Sequence, residues 1–175
     1  IRDLHKMLQR MIGEDVQISI DFDEQLDKIM IDHGQLEQVI MNLVLNSREA
    51  MPNGGKLNIT TRNLTSDNQL VRQYSPKEDD RFVLLEVTDT GIGIDPLIID
   101  RIFEPFFTTK KSGKSTGLGL STVYGVVTQA GGHISVDSKL GLGTTIRIIL
   151  PSALWAVNND DERIIDTDLL GNGEQ

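Results

Sequence analysis

Two asparagines one helical turn apart, Asn42 and Asn46, an aspartate at the end of an apolar run, Asp89, and three glycine-rich turns are where this sequence offers chemistry. An amide oxygen suits a hard cation such as magnesium, which takes oxygen ligands in near-octahedral geometry and keeps several waters while bridging phosphates. Asn46 is therefore the candidate metal ligand. Asn42, on the same stripe, is placed to bond phosphate or metal-bound water. Asp89 follows the run Phe82 to Val87, where an unpaired carboxylate would be costly, so it calls for a donor such as a ligand amino group. Gly117-Leu118-Gly119-Leu120, preceded by Thr116, opens a helix and leaves backbone N–H groups free to face an anion, with the helix dipole adding to the attraction. Lys110, Lys111 and Lys114 lie on the preceding loop. Taken singly, each cluster has an ordinary explanation: Gly91 and Gly93 as a turn, Gly117 and Gly119 as a helix start, Gly141 and Gly143 as a hairpin bend, the lysines as solvated loop.

The elements that must carry these residues can be read from periodicity. Leu4, Met7, Leu8 and Met11 form one stripe of a helix over residues 1–12 that lacks a start signal and reads as the end of a longer one, with Gly13 as its stop. Val16, Ile18 and Ile20 alternate as a strand, and Ile29 to Ile31 reads as a second. A helix begins at Asp32, with Gln35 three positions on as in a capping box, and ends at Pro52-Asn53-Gly54-Gly55. Leu36, Val39, Ile40, Leu43, Val44, Ser47 and Ala50 fall on one face; Gln35, Gln38, Asn42, Asn46 and Glu49 gather on another. Leu57 to Thr61 is a strand, Asn63 to Asp80 an exposed loop, and Phe82 to Val87 the central strand. Pro96 opens a short helix reaching Ile102. Residues 103–116 have the composition of a lid, and a helix runs from Thr116 to Ala130 before Gly131-Gly132. His133 to Asp137 pairs with Thr145 to Leu150 as a hairpin.

In order, the clusters resemble the N, G1, F, G2 and G3 boxes of the histidine-kinase and gyrase-type ATPase superfamily. DTGIGI at 89–94, FEPFFTTK at 103–110, STGLGLST at 115–122 and GLGTT at 141–145 carry the likeness, and the NSREAM and FEPFFTTK variants look closest to the nitrogen-regulatory branch of sensor kinases. The resemblance spans nearly everything from Leu4 to Pro151. It implies an α/β (α+β) two-layer sandwich of the Bergerat type, a mixed, mostly antiparallel sheet covered on one face by three helices. It also implies ATP and Mg2+ as cofactors. Asp89 would take the adenine amino group, with Gly91, Gly93 and Ile94 beside the base. Asn42, Asn46 and Lys110 would be the catalytic residues at the phosphates, and Thr116, Gly117, Leu118, Gly119, Leu120 and Thr144 would complete the nucleotide site.

The activity so implied is transfer of the γ-phosphoryl group of ATP to a histidine on a dimerisation domain outside this sequence. His5, His33 and His133 all lack the acceptor motif and read as structural. Residues 1–13 would end the preceding helix, 14–152 form the catalytic domain, and 153–175 an acidic linker. The implied partners are the chain's own dimerisation and phosphoacceptor domain and a response regulator or fused receiver domain, within a homodimer. The tail DLLGNGEQ resembles linkers that precede receivers.

Composition sets the outer bounds. At 175 residues, 38% hydrophobic and 25% charged, the chain suits one globular domain, with roughly 70% of its unfolded surface buried. Cysteine is absent, which excludes disulfides and thiolate sites. The longest apolar runs are too short to cross a bilayer, so this piece reads as soluble and cytoplasmic, without membrane contact. A net charge of -9 opposes broad nucleic-acid binding. Gly113-Lys114-Ser115 is not a P-loop, because Thr108 stands where that motif needs glycine. One alternative is an ATP hydrolase or nucleotide-driven clamp of the gyrase type, which the resemblance would give a glutamate base one turn before the asparagine; Asn42 stands there instead. A non-catalytic binding module is the other, and every box is intact.

Overall fold

The computed structural model describes residues 8–9, 11–72, 74, 80–109 and 116–153. Five strands form one sheet: β1 (Val16–Phe22), β2 (Gly55–Thr65), β3 (Arg81–Asp89), β4 (His133–Lys139) and β5 (Gly143–Pro151). Their order is β1-β2-β3-β5-β4. Only β1 and β2 run parallel; the other neighbours are antiparallel. Two helices, α1 (His33–Ala50) and α2 (Gly119–Gln129), pack on one face of this sheet.

Helix α1 starts where Asp32, in extended backbone, accepts the Gln35 amide at 3.0 Å, which satisfies one of the orphan donors of the first turn. It is the crossover between parallel strands, and it buries Val39, Ile40, Leu43, Val44 and Ser47. At its other end Arg48 bonds Asp15 at 2.9 Å and the Met51 carbonyl at 3.2 Å, fastening the helix end to the turn before β1. Helix α2 contributes Val123, Val126 and Val127 to the same core, which also takes in Leu57, Ile59, Leu85, Val87, Ile146 and Ile148 from the strands. Leu8 and Ile12, both helical, join that core as well.

Several expected boundaries move. The strand expected over Ile29 to Ile31 is a single bridge, Ile29 to Ser152: the side chains alternate, with Ile29 and Ile31 toward the core and Met30 exposed, but no described strand lies alongside to pair with the rest. The helix expected from Pro96 to Ile102 is one 3-10 turn, Ile99–Arg101, following a turn held by Asp95, so that among the described residues it adds no third helix to α1 and α2. Helix α2 begins at Gly119, not Thr116. The loop expected to be exposed from Asn63 instead extends β2 to Thr65 and then covers the second face of the sheet. Val71 is fully buried there with Leu64, Phe82, Leu84 and Ile149, and Leu70 and Tyr74 pack against them. Strand β3 is thus apolar on both faces, which explains why Phe82 to Leu85 form a continuous hydrophobic run.

Candidate functional site

A cavity of about 380 Å3 opens between α1, the end of β3, the start of α2 and the segment 92–109. Asn46, Asp89, Gly93, Ile94, Phe107, Gly117, Gly119, Leu120 and Thr144 line it, so all five boxes, separated in sequence, meet around one space. Its walls are largely apolar: Ile98, Ile102 and Phe107 from the segment after β3 face Ile146 and Leu120.

At one end stands Asp89, buried to 6% exposure. The Gly91 amide donates to its Oδ1 at 2.8 Å, and the Ser47 hydroxyl and the Thr144 amide also donate to the carboxylate. Burial pushes its pKa above the ordinary value, and the three hydrogen bonds pull in the opposite direction without cancelling it. A buried acceptor held in this way at a cavity wall is suited to a ligand that brings a donor.

At the other end, Asn42 and Asn46 face the start of α2. A Cβ placed on Gly119 would lie 3.6 Å from Asn46 Nδ2 and 3.8 Å from Asn42 Oδ1. Asn46 Nδ2 is buried and, among the described residues, without a hydrogen-bond partner, which leaves a polar group for a ligand in the cavity to satisfy. Oxygen and nitrogen of such an amide exchange by rotation about the last side-chain bond, so Asn46 can meet either an anion or a cation. Leu118 precedes the helix with no side-chain cap, and the hydroxyls of Ser121 and Thr122 turn to its carbonyl. Among the described residues no side chain caps the Gly119, Leu120 and Ser121 amides at the asparagine end of the cavity, while the Leu118 amide is met by Thr116 Oγ1 at 3.4 Å.

The glycines fit for reasons that differ from one to the next. Gly91 is buried behind the cavity rather than lining it: a Cβ there would meet the Ala50 carbonyl at 2.6 Å, so glycine lets the end of α1 approach while its amide holds Asp89. Gly117, at φ +68°, lies against the Phe106 backbone, where a Cβ would approach to 2.5 Å. Thr116, Leu118 and Asn42 also stay off the cavity lining, although Asn42 reaches its rim through Gly119. Lys110 falls outside the described residues.

Two hydroxyls near Asp89 are not marked by the sequence pattern. Ser47 falls with the apolar face of α1, where a polar side chain among Val44, Leu43 and Ala50 is the one signal. Ser138 shares the core-facing parity of Ile134 and Val136 on β4, and it bonds the Ile94 amide at 2.9 Å and Thr144 Oγ1 at 2.8 Å.

Residues 31–154 match the family model described as histidine kinase-, DNA gyrase B- and HSP90-like ATPase. Sensor kinase CckA of Brucella abortus (strain 2308) is 44% identical over 161 residues, covering 92% of this chain but 17% of that protein. Among solved structures, the mycobacterial sensor histidine kinase MprB superposes with a TM-score of 0.64 at 26% identity, covering 86% of this chain and 90% of that one. Full-length ShkA in complex with AMPPNP gives 0.69 at 25% identity, over 87% of this chain and 29% of that one. The chain thus spans a minor part of the full-length proteins it matches.

Proposed function

This chain belongs to the histidine kinase-, DNA gyrase B- and HSP90-like ATPase family, and we propose that it is the ATP-binding catalytic domain of a sensor histidine kinase. The observation that carries this reading is a single cavity with a buried aspartate at one end and two helix asparagines facing an uncapped helix start at the other. Adenine fits the first end, where its amino group would donate to Asp89. The triphosphate fits the second, where the α2 amides and the Asn42 and Asn46 side chains would receive it.

Magnesium suits the donor set in one way only. No three His, Cys, Asp or Glu side chains converge among the described residues, so a cation here would rest on phosphate oxygens, water and the Asn46 amide. Bound so, it would neutralise charge developing on the transferred phosphoryl group. The chain's own part is positioning. Asp89 fixes the base, the apolar wall of Ile98, Ile102 and Phe107 excludes water, and Asn46 with the α2 amides sets the direction of the γ-phosphate; Lys110 is proposed to add charge there. The acceptor would be a histidine of a dimerisation domain, and a response regulator or receiver would take the phosphoryl group onward. The cytoplasm, where ATP is abundant, is the proposed compartment. Among the described residues no helix is long and apolar enough to cross a membrane.

Asn42 decides between this and the hydrolase reading. An uncharged amide cannot take a proton from attacking water at neutral pH, so the site is built to hold ATP for an incoming nucleophile rather than to activate water. The test is a phosphotransfer assay with γ-labelled ATP on a longer chain that includes the phosphoacceptor helix. Label should appear on histidine in the wild type and vanish in Asn46→Ala. Steady release of phosphate without histidine labelling would reject the proposal in favour of an ATP hydrolase.

A further inference from the structure

Ser138 uses its whole hydrogen-bonding capacity at the end of the cavity that holds Asp89. Its hydroxyl donates to the Gly143 carbonyl at 3.0 Å and accepts the Ile94 amide at 2.9 Å. Its remaining bond is with Thr144 Oγ1 at 2.8 Å. A hydroxyl has one proton and two lone pairs. With the proton on Gly143 and one lone pair on Ile94, the bond to Thr144 can be made in only one sense: Thr144 donates and Ser138 accepts.

This assignment fixes what Thr144 shows to a ligand. Thr144 is buried and lines the cavity, and with its proton committed it retains only acceptor capacity there. Ser47 has likewise given its proton to Asp89. The Gly91 and Thr144 amides are also spent on that carboxylate. Two hydroxyls and two amides therefore point their hydrogens into the protein, and the Asp89 carboxylate and the Thr144 hydroxyl both meet the cavity as acceptors.

We propose that Ser138 is a specificity-determining residue that holds Thr144 as an acceptor, so that the site takes a base edge bearing an amino group and refuses one bearing a carbonyl. The inference rests on the nucleotide reading above and deepens it. A 6-oxo purine in the same pose would set its carbonyl, in place of the amino group, against the acceptors of Asp89 and Thr144; its one donor on that edge, N1–H, cannot serve both, so the pairing cost falls on the wrong base. With Ser138 removed, Thr144 is free to turn its proton toward the cavity and offer the carbonyl a donor.

The test compares affinities of ATP and inosine triphosphate for the whole chain by calorimetry, in the wild type, Ser138→Ala and Ser138→Thr. The expected result for Ser138→Ala is a fall of about five- to tenfold in the ratio of ATP to inosine-nucleotide affinity, the size of one hydrogen bond gained or lost, with Ser138→Thr restoring it. A residue that only braced the fold would weaken both nucleotides alike, so an unchanged ratio in Ser138→Ala overturns the proposal while leaving the nucleotide reading in place. Wild-type chain that binds neither nucleotide overturns both. Should Ser138→Ala not fold, hydrogen exchange decides on the wild type without nucleotide. The Ile94 amide should be strongly protected, and exchange at the rate of a free amide overturns the proposal because the Ser138 cluster is then not formed.

Discussion

Phe106 and Gly117 are joined backbone to backbone: the Phe106 amide donates to the Gly117 carbonyl at 3.0 Å, and both residues hold positive φ, 65° and 68°. The glycine is free to do so, whereas the phenylalanine is held there against its preference. This contact seats the segment after β3 on the residues leading into α2.

Gly117→Ala should therefore disturb both. Its Cβ would reach 2.5 Å from Phe106 backbone, which cannot swing aside as a side chain would. We expect a loss of about 2 kcal/mol or more of stability, read from urea midpoints, and a parallel loss of ATP affinity. Gly125→Ala, where a Cβ meets nothing within 4 Å, is the matched control and should be neutral or slightly stabilising.

Asn46→Ala should separate stability from binding. The buried Nδ2 has no partner among the described residues, so its removal relieves a desolvated polar group, and the fold should change by no more than about 1 kcal/mol in either direction. ATP affinity in the presence of magnesium should fall at least tenfold by calorimetry, and much less when magnesium is chelated.

The pH dependence of Asp89 should carry opposite signs with and without ligand. Burial raises its pKa above 3.8, so in the free chain its contribution to stability is complete below that value and is lost as pH rises through the raised one. Accepting a hydrogen bond from an amino group favours the ionised form. ATP affinity should therefore be full above the raised pKa and decline as pH falls through it, with protons released on binding inside that window. Calorimetry at acidic pH in two buffers of different ionisation heat would show the release, and Asp89→Asn should abolish it.

The central cluster gives a purely structural prediction. Leu43 on α1 is 1% exposed within the main core, and Leu43→Ala should cost about 2–5 kcal/mol in chemical denaturation, depending on how far the site collapses.

Much of this site was legible because its residues carry their chemistry in their composition. Asn46, Asp89, Gly117 and Gly119 stand out by type and spacing, and α1 announced itself through the Asp32 cap and a stripe that buries Val39, Ile40, Leu43 and Val44. Partners across the sheet were not legible. Ser138 matters because β4 lies beside β5, and Thr144 sits opposite Asp89 only through the β3–β5 register. Short apolar runs misled for a related reason. Ile29 to Ile31 looked like a strand, but such a run cannot say whether a neighbouring strand will accept it, and here only Ser152 does. Gly91 looks in the sequence like room for a base, while the body it admits is the end of α1.

Strands β3 and β5 pair from Phe82 to Asp89, and none of the described residues between Asp89 and Gly119 takes a place in the sheet. That stretch, which builds one whole wall of the cavity, is an excursion hung from a framework that closes without it. Insertions or deletions there shift no strand against its neighbour. The cavity wall can thus be reshaped without moving the strands that set Asp89 opposite Thr144.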